Sequence, residues 1–356
     1  MRKRILPLLL ALVMLAGCGQ AAPNETQGTA GPTQAQEIPS SSREVFAMDT
    51  YMTITCYGEN CEEALDAAEA EILRLDDLLS VGKENSEISI INATGGGSLS
   101  EDSRIMVEKS LELFEETGGA FDITVYPLMQ LWGFTTDDFA VPTTEELAQT
   151  LTDTGAEKLT YADGTLNLGQ ASGIDLGGIA KGYTSGRLME IFAEYDLAAG
   201  IVSLGGNVQC YRTKPNGSPW RCGIQDPYAA DGGSTLMGIL EVADQAVITS
   251  GAYERYFEGE DGNLYHHILD PETGMPADSG LISVTIVSDS GMLADGLSTA
   301  CYVMGLEDAA AYWRAHSDEF DMILMNEDGE VYVTEPLADR FTTEYPLYVI
   351  NKEGMA

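Results

Sequence analysis

From residue 44 onward the apolar residues change their spacing in blocks, and this constrains the fold more than anything else in the chain. Residues 44–58 alternate and are rich in Val, Phe, Thr and Tyr, which predicts a strand, and residues 61–79 set Leu65, Ala68, Ile72, Leu75 and Leu79 at helical spacing. A second helix is expected from Ser100, a good cap, through Ile105, Val107, Leu111 and Phe114 to the stop at Gly118-Gly119. A third should span Thr143 to Asp153, followed by a hairpin near 158–168, a helix from about 179 to 195 and several short strands between 198 and 287. A helix over 291–304, a final helix and a strand pair around 320–335 complete the pattern. Strands and helices come in runs rather than strict alternation, so the expected class is α+β, with mixed or antiparallel sheets flanked by helices. No repeat of fixed period and no second low-complexity linker interrupts residues 44–350, which read as one unit.

The first residues are an address rather than part of the fold. Residues 1–18 read MRKRILPLLLALVMLAGC, a basic start and a 12-residue apolar run from Ile5 to Ala16 that is too short to span a bilayer. The run ends in Leu15-Ala16-Gly17-Cys18, which resembles the bacterial lipobox. Residues 1–17 are therefore expected to be removed, and Cys18 to begin the mature chain and carry lipid on the extracytoplasmic face of the membrane. Residues 18–43 are rich in Gly, Pro, Gln, Ser and Thr and read as a disordered tether, with a reach on the order of 30 Å.

Charge and cysteine usage narrow the function further. The chain has 57 Asp plus Glu against 18 Lys plus Arg, a formal charge of −39, and removing Arg2, Lys3 and Arg4 makes it more negative still. Such a surface repels polyphosphate backbones, which excludes nucleic-acid binding, and keeps the globule off an anionic membrane. Six cysteines are too sparse for a disulfide scaffold, and no Cys-x-x-Cys pair or His-rich tract suggests zinc. Of the five that remain after Cys18, Cys56 with Cys61 or Cys210 with Cys222 could pair, and the odd count leaves at least one free.

Four short constellations carry chemistry. Gly173-Ile-Asp175-Leu-Gly177-Gly178-Ile-Ala-Lys181-Gly182 puts two glycines before a helix, with a carboxylate ahead and an ammonium just inside; the free N–H groups of such a turn suit an anion, or merely start a helix. It is neither a Walker A loop nor a dinucleotide fingerprint. Gly205-Gly206 ends a strand and offers a close-approach site. Asp295 and Thr299 lie four apart on a predicted helix and share a face, offering a carboxylate and a hydroxyl oxygen that suit magnesium; a solvated Asp with a back-bonding Thr fits the spacing equally. His266 and His267 are adjacent in an extended stretch, so one should face a cleft and the other the opposite side.

Taken together these stretches resemble the ApbE family, the FAD:protein FMN transferases. The stations run in order: Ala47-Met48-Asp49-Thr50; Ser86-Glu-Ile-Ser89 with Asn92; Gly119-Ala120-Phe121-Asp122-Ile-Thr-Val125 through Trp132-Gly133-Phe134; Asp175 to Gly182; Ser203-Leu-Gly-Gly-Asn207; Pro219-Trp-Arg221 with Asp226-Pro227; Thr249-Ser-Gly251 with Tyr253 and Arg255; His267-Ile268-Leu-Asp-Pro271; and Ala294-Asp295 to Thr299. The resemblance implies a two-lobed domain with FAD in the cleft between the lobes, a magnesium ion, and transfer of the FMN half of FAD to a Thr hydroxyl of an extracytoplasmic partner bearing an Asp-Gly-Ala-Thr-like motif, with AMP leaving. It places magnesium on Gly178, Asp295 and Thr299. It places FAD against Met48, Ala120, Phe121, Asp122, Asp175, Lys181, Gly205, Gly206, His267 and Ile268, and makes His267 the candidate base. Hydrolysis of FAD to FMN and AMP, or FAD binding without chemistry, are the alternative activities. Two positions depart from the family pattern: Asp49 stands where many relatives have Gly, and Gly82 where they have an aromatic residue.

Overall fold

The computed structural model describes residues 38–229 and 235–355. The expected signal peptide 1–17, the expected lipidation site Cys18 and the expected tether up to residue 37 lie outside the described residues. In chain order the elements are β1 (Ser40–Ala47), β2 (Thr50–Tyr57), α1 (Cys61–Leu79), α2 (Glu87–Thr94), β3 (Gly96–Ser98), α3 (Glu101–Glu116), α4 (Tyr126–Leu131), α5 (Thr144–Leu151), β4 (Thr160–Ala162), β5 (Thr165–Asn167), α6 (Gly177–Glu194), β6 (Ala199–Leu204), β7 (Asn207–Tyr211), β8 (Trp220–Gln225), β9 (Leu236–Val242), β10 (Ala246–Gly251), β11 (Tyr256–Glu258), β12 (Leu264–His266), β13 (Leu281–Ser288), α7 (Gly291–Ala315), β14 (Asp321–Asn326), β15 (Val331–Thr334), β16 (Phe341–Thr343) and β17 (Leu347–Ile350).

A nine-stranded sheet in the order β1-β2-β6-β7-β10-β13-β14-β15-β17 forms the middle layer. Its pairings are antiparallel except β15 with β17, so the sheet is mixed and the class is the expected α+β. Successive side chains on a strand face opposite ways. Val202 on β6 therefore joins Ile54, Leu65 and Phe192 under helices α1 and α6, while its neighbour Ile201 joins Trp220, Leu240 and Phe341 on the other face. That second face is covered by the three-stranded sheet β16-β9-β8. A smaller aromatic core of Leu128, Trp132, Phe134, Leu147 and Leu269 stands apart and ties α4 and α5 to the β11-β12 hairpin.

Several boundaries differ from the sequence reading for local reasons. The strand expected over 44–58 is two, because a two-residue turn at Met48-Asp49 joins Ala47 to Thr50 and shifts the buried positions from Val45 and Ala47 to Met52, Ile54 and Cys56. Both turn residues are left-handed, at φ 49° and 56°, the conformation a tight hairpin of this hand needs and one that glycine takes freely. That accounts for glycine at the Asp49 position elsewhere in the family pattern. The folded part begins at Ser40, not after residue 43, because β1 pairs with β2 from Ser40 onward and Arg43 reaches Asp66 and Glu69 on α1. It also continues past 350, where Arg314 donates to the Asn351 and Gly354 carbonyls. Helices α2 and α4 are too short to show periodicity. Helix α7 is broken at Gly305, at φ 79°, which separates the expected 291–304 helix from the final one.

Helices α6 and α7 cross at glycines. A Cβ on Gly182 would lie 2.2 Å from the Gly291 carbonyl oxygen and 2.6 Å from the Asp295 Cβ, and one on Gly291 would lie 2.5 Å from both Ser185 Oγ and Gln209 Oε1. Backbone and packed side chains cannot move aside cheaply, so Gly182→Ala is expected to destabilise by about 2–3 kcal/mol. Gly186, one turn further along α6, would meet nothing within 4 Å, so Gly186→Ala is expected to stabilise by about 0.5–1 kcal/mol. Thermal unfolding of the two variants checks both signs.

Candidate active site

One cleft of about 2760 Å³ gathers every sequence-predicted contact except Cys18: Met48, Ala120, Phe121, Asp122, Asp175, Gly178, Lys181, Gly205, Gly206, His267, Ile268, Asp295 and Thr299 all border it. The large sheet, the starts of α6 and α7, the three-stranded sheet and the β11-β12 hairpin supply its walls.

Its floor is the start of α6. Asn92 brackets Ile174 with both ends of its amide, accepting from the Ile174 N–H (2.8 Å) and donating to its carbonyl (2.9 Å), which fixes the chain entering the glycine turn. Asp175 Oδ1 then accepts from Gly177 N–H at 2.7 Å. The ring of Phe121 lies under the turn, 3.1 Å from where a Gly178 Cβ would be, so this glycine is required by packing.

Asp295 reaches across from α7. Its Oδ2 accepts from Gly182 N–H at 2.7 Å and its Oδ1 from Asn207 Nδ2 at 2.8 Å. In a regular helix the Gly182 N–H would close onto the Gly178 carbonyl, so Asp295 draws on the very donor that carbonyl would otherwise own. One turn along α7, the Thr299 hydroxyl lies 3.9 Å from the position a Gly178 Cβ would take and has no hydrogen-bond partner among the described residues. Helical hydroxyls elsewhere in this chain, at Thr94, Ser110, Thr117 and Thr184, bond back to the preceding turn. At this position the carbonyl of Asp295 is taken instead by Ser298 Oγ, at 2.7 Å.

The donors therefore fit a hard cation: a carboxylate, a hydroxyl without a partner and a main-chain carbonyl, brought to one place. Burial pushes the Asp295 carboxyl above the usual range and the Lys181 ammonium opposes this, the signature of a buried negative charge short of positive neighbours.

Cationic features face the same space. Lys181 and Arg221 border the cleft and have no ion-pair partner among the described residues, although acidic residues outnumber basic ones 57 to 18. In such a chain an ammonium without a carboxylate is a standing invitation to an anion, and the α6 N-terminus points the same way.

The two histidines diverge as alternation predicts. His266 Nε2 meets the Ala277 carbonyl at 3.2 Å and its ring lies edge-on to Tyr302. His267 Nδ1 lies 3.1 Å from the Arg255 carbonyl, which can only accept, so the proton sits on Nδ1 and Nε2 is left as the acceptor. Phe134 packs edge-on against the His267 ring, and Arg255 is clipped to the Phe134 carbonyl and to Asp137.

Some expected contacts do different work. Asp122 is spent as a strut: Oδ1 accepts from the Thr124 N–H and hydroxyl and Oδ2 from Ala156 N–H, so it offers no free oxygen to a ligand. Phe121 is 4% exposed and wedged into the core. Gly205 is demanded by Thr50, whose Oγ1 would lie 2.4 Å from a Cβ, and by its φ of 62°. Around Gly82 there is open space, a Cβ meeting only Ser80 Oγ at 3.7 Å, so the cleft simply lacks a side chain there. Sequence reasoning assigned no role to Asn207, although it follows the Gly-Gly turn directly. Glu254 also borders the cleft and has no sequence signal of its own.

With this geometry in place, the comparisons are specific. The ApbE family model matches residues 48–324. The chain belongs to the ApbE family. It is 34% identical over 335 residues to the FAD:protein FMN transferase of Vibrio cholerae, covering 90% of this chain and 93% of that one, and 30% identical over 334 residues to that of Treponema pallidum, covering 87% and 91%. Among solved structures, the ApbE protein from Thermotoga maritima superposes with a TM-score of 0.79 at 32% identity, covering 85% of this chain and 99% of that one.

Burial and the charges of Arg255 and Lys181 lower the His267 pKa to about 3, and burial lowers that of His266 as well. The unfolded chain therefore takes up protons near pH 6.5 that the native state refuses, so these two sites destabilise the fold progressively as pH falls from 6.5 towards 3. In the free protein, proton NMR should show the His267 ring not titrating between pH 5.5 and 8 and the His266 midpoint below 6.5; a midpoint near 6.5 for His267 would contradict the proton-refusing site.

Proposed function

We propose that this ApbE-family protein transfers the FMN half of FAD, with magnesium, to a Thr hydroxyl of an extracytoplasmic acceptor bearing an Asp-Gly-Ala-Thr-like motif, and releases AMP. Its relatives are named FAD:protein FMN transferases, and as a member of their family the chain is a transferase. The observation that supports the finer reading is the approach of the Asp295 carboxylate to the Gly182 N–H and of the Thr299 hydroxyl to the turn at Gly178, beside Lys181, with neither Thr299 Oγ1 nor Lys181 Nζ partnered among the described residues.

The chemistry requires displacement at phosphorus. The acceptor Thr oxygen forms a bond to the flavin-side phosphorus as the bond to the AMP oxygen breaks, and AMP leaves with that electron pair. Magnesium held by Asp295, Thr299 and Gly178 would neutralise charge on the pyrophosphate. Lys181 and the Gly178 N–H, the one first-turn amide of α6 without a hydrogen-bond partner among the described residues, would hold the remaining phosphate oxygens. His267, neutral and with Nε2 as acceptor, is placed either to take the Thr proton or to position the substrate. The cleft, about 2760 Å³ against the roughly 300–1,000 Å³ of ordinary ligand pockets, admits a dinucleotide together with a segment of acceptor chain. Attachment to the membrane through Cys18 is read from the first 18 residues; among the described residues no helix is long and apolar enough to cross a membrane.

Purified protein mixed with FAD, magnesium and an acceptor bearing the motif should add the mass of FMN to the acceptor Thr. Asp295→Ala should abolish transfer, and His267→Ala should slow it by about 100-fold or more if the ring is the base. Release of free FMN and AMP without acceptor, at a rate matching transfer, would identify a hydrolase instead. FAD binding with no product of either kind would identify a carrier.

A further inference from the structure

Cys210 and Cys222 face each other across two different sheets. Cys210 lies on β7 of the nine-stranded sheet and Cys222 on β8 of the three-stranded sheet that walls the cleft. Their sulfurs are 3.9 Å apart, and both side chains sit in the apolar layer between the sheets, 1% and 5% exposed. Their strands are held in place independently. Cys210 N–H donates to the Gln245 carbonyl, Cys222 pairs with Leu240 in the β8-β9 register, and the intervening loop is closed by Trp220 Nε1 donating to the Arg212 carbonyl.

The other described cysteines are placed differently. Cys56 turns its thiol onto the carbonyl oxygens of Ser41 and Cys61, at 3.8 and 3.6 Å, and its sulfur also lies beside that of Cys61 at the start of α1, within one local turn rather than across two sheets, while Cys301 is buried within α7. The dithiol also sits in a partition. Cys222 borders the large cleft, while Cys210 borders a second cavity of about 430 Å³ that is also lined by Tyr211, Asp244, Gln245 and Asp289.

We propose that Cys210 and Cys222 are the site of a disulfide that staples the small sheet walling the cleft to the large sheet. A disulfide brings two sulfurs to about 2 Å, so the pair must close by roughly the same distance again, within reach of side-chain rotation on strands already in place. One cysteine, as thiolate, attacks the disulfide of a donor, either a dithiol–disulfide oxidoreductase or oxidised glutathione. The second cysteine then displaces the donor from the mixed disulfide. The two electrons pass to the donor and the two thiol protons, by way of solvent, to its two sulfurs, so that it leaves as two thiols. Burial and the neighbouring sulfur push the Cys210 thiol well up, so the thiolate is scarce in the docked state and the bond forms as the sheets come together. The proposed export determines only where in the cell this happens; the bond itself is tested in vitro.

The full-length chain is equilibrated in a reduced and oxidised glutathione buffer at a denaturant concentration within its unfolding transition, brought back to native conditions, and alkylated. Tryptic digestion should yield the Leu188–Arg212 peptide joined to the Cys222–Arg255 peptide, two hydrogens lighter than the sum of its parts. The linked protein should melt about 5 °C above the reduced protein. The C222S variant, which keeps the side-chain volume, should show no difference between oxidising and reducing buffers. Alkylation of both Cys210 and Cys222 at equilibrium, a bond from either of them to Cys56, Cys61 or Cys301, or equal melting of the linked and reduced forms would each overturn the staple.

Discussion

The site depends on how closely two helices can approach. Gly182 and Gly291 let α6 and α7 pack backbone to backbone, and that approach brings the Asp295 carboxylate to the Gly182 amide and Thr299 to the glycine turn. At an ordinary helix separation of 8–10 Å the same side chains would stand too far from the turn to share a ligand with it. Packing and chemistry are thus one feature here, and a methyl group at the crossing would disturb both.

The electrostatics follow from where charges are left uncompensated. On the surface, Arg43, Arg74, Arg104 and Arg187 are paired with the abundant carboxylates, contacts of small worth in water. In the cleft the pairing lapses: among the described residues Lys181 and Arg221 have no carboxylate partner, Asp295 is buried with two neutral donors, and His267 is held neutral. Desolvation makes the charged forms of Asp295 and His267 unfavourable alone. A polyanion and a cation arriving together satisfy them, which is why the free protein shows strained ionisation at the place where the ligand is proposed to bind.

Much of this was visible in the chain. The Gly-Gly-x-x-Lys turn, the Asp295-Thr299 spacing and His267 of the histidine pair all mark residues that border the cleft, because short-range geometry on a helix or a strand fixes which side chains share a face. Less visible were contacts between segments distant in sequence. Asp122 looks like a ligand residue in its motif, yet its oxygens are taken by Thr124 and Ala156. Asn207 and Glu254 carry no local signature, since their role depends on what lies opposite. The break at Met48-Asp49 shifts the alternation by one residue, from Val45 and Ala47 to Met52, Ile54 and Cys56, a slip masked by the strand-forming residues on both sides of it.

The sequence alone determined the α+β class, the family resemblance, the export signal pattern and the residues able to offer oxygen to a metal and positive charge to phosphate. Only the tertiary structure decided that these residues meet in one cleft, that Gly182 donates to Asp295, and which two cysteines come into contact. Periodicity and residue chemistry act over one helical turn or one strand pair. The approach of α6 to α7, and of β7 to β8, is set by the packing of whole layers, which no local pattern records.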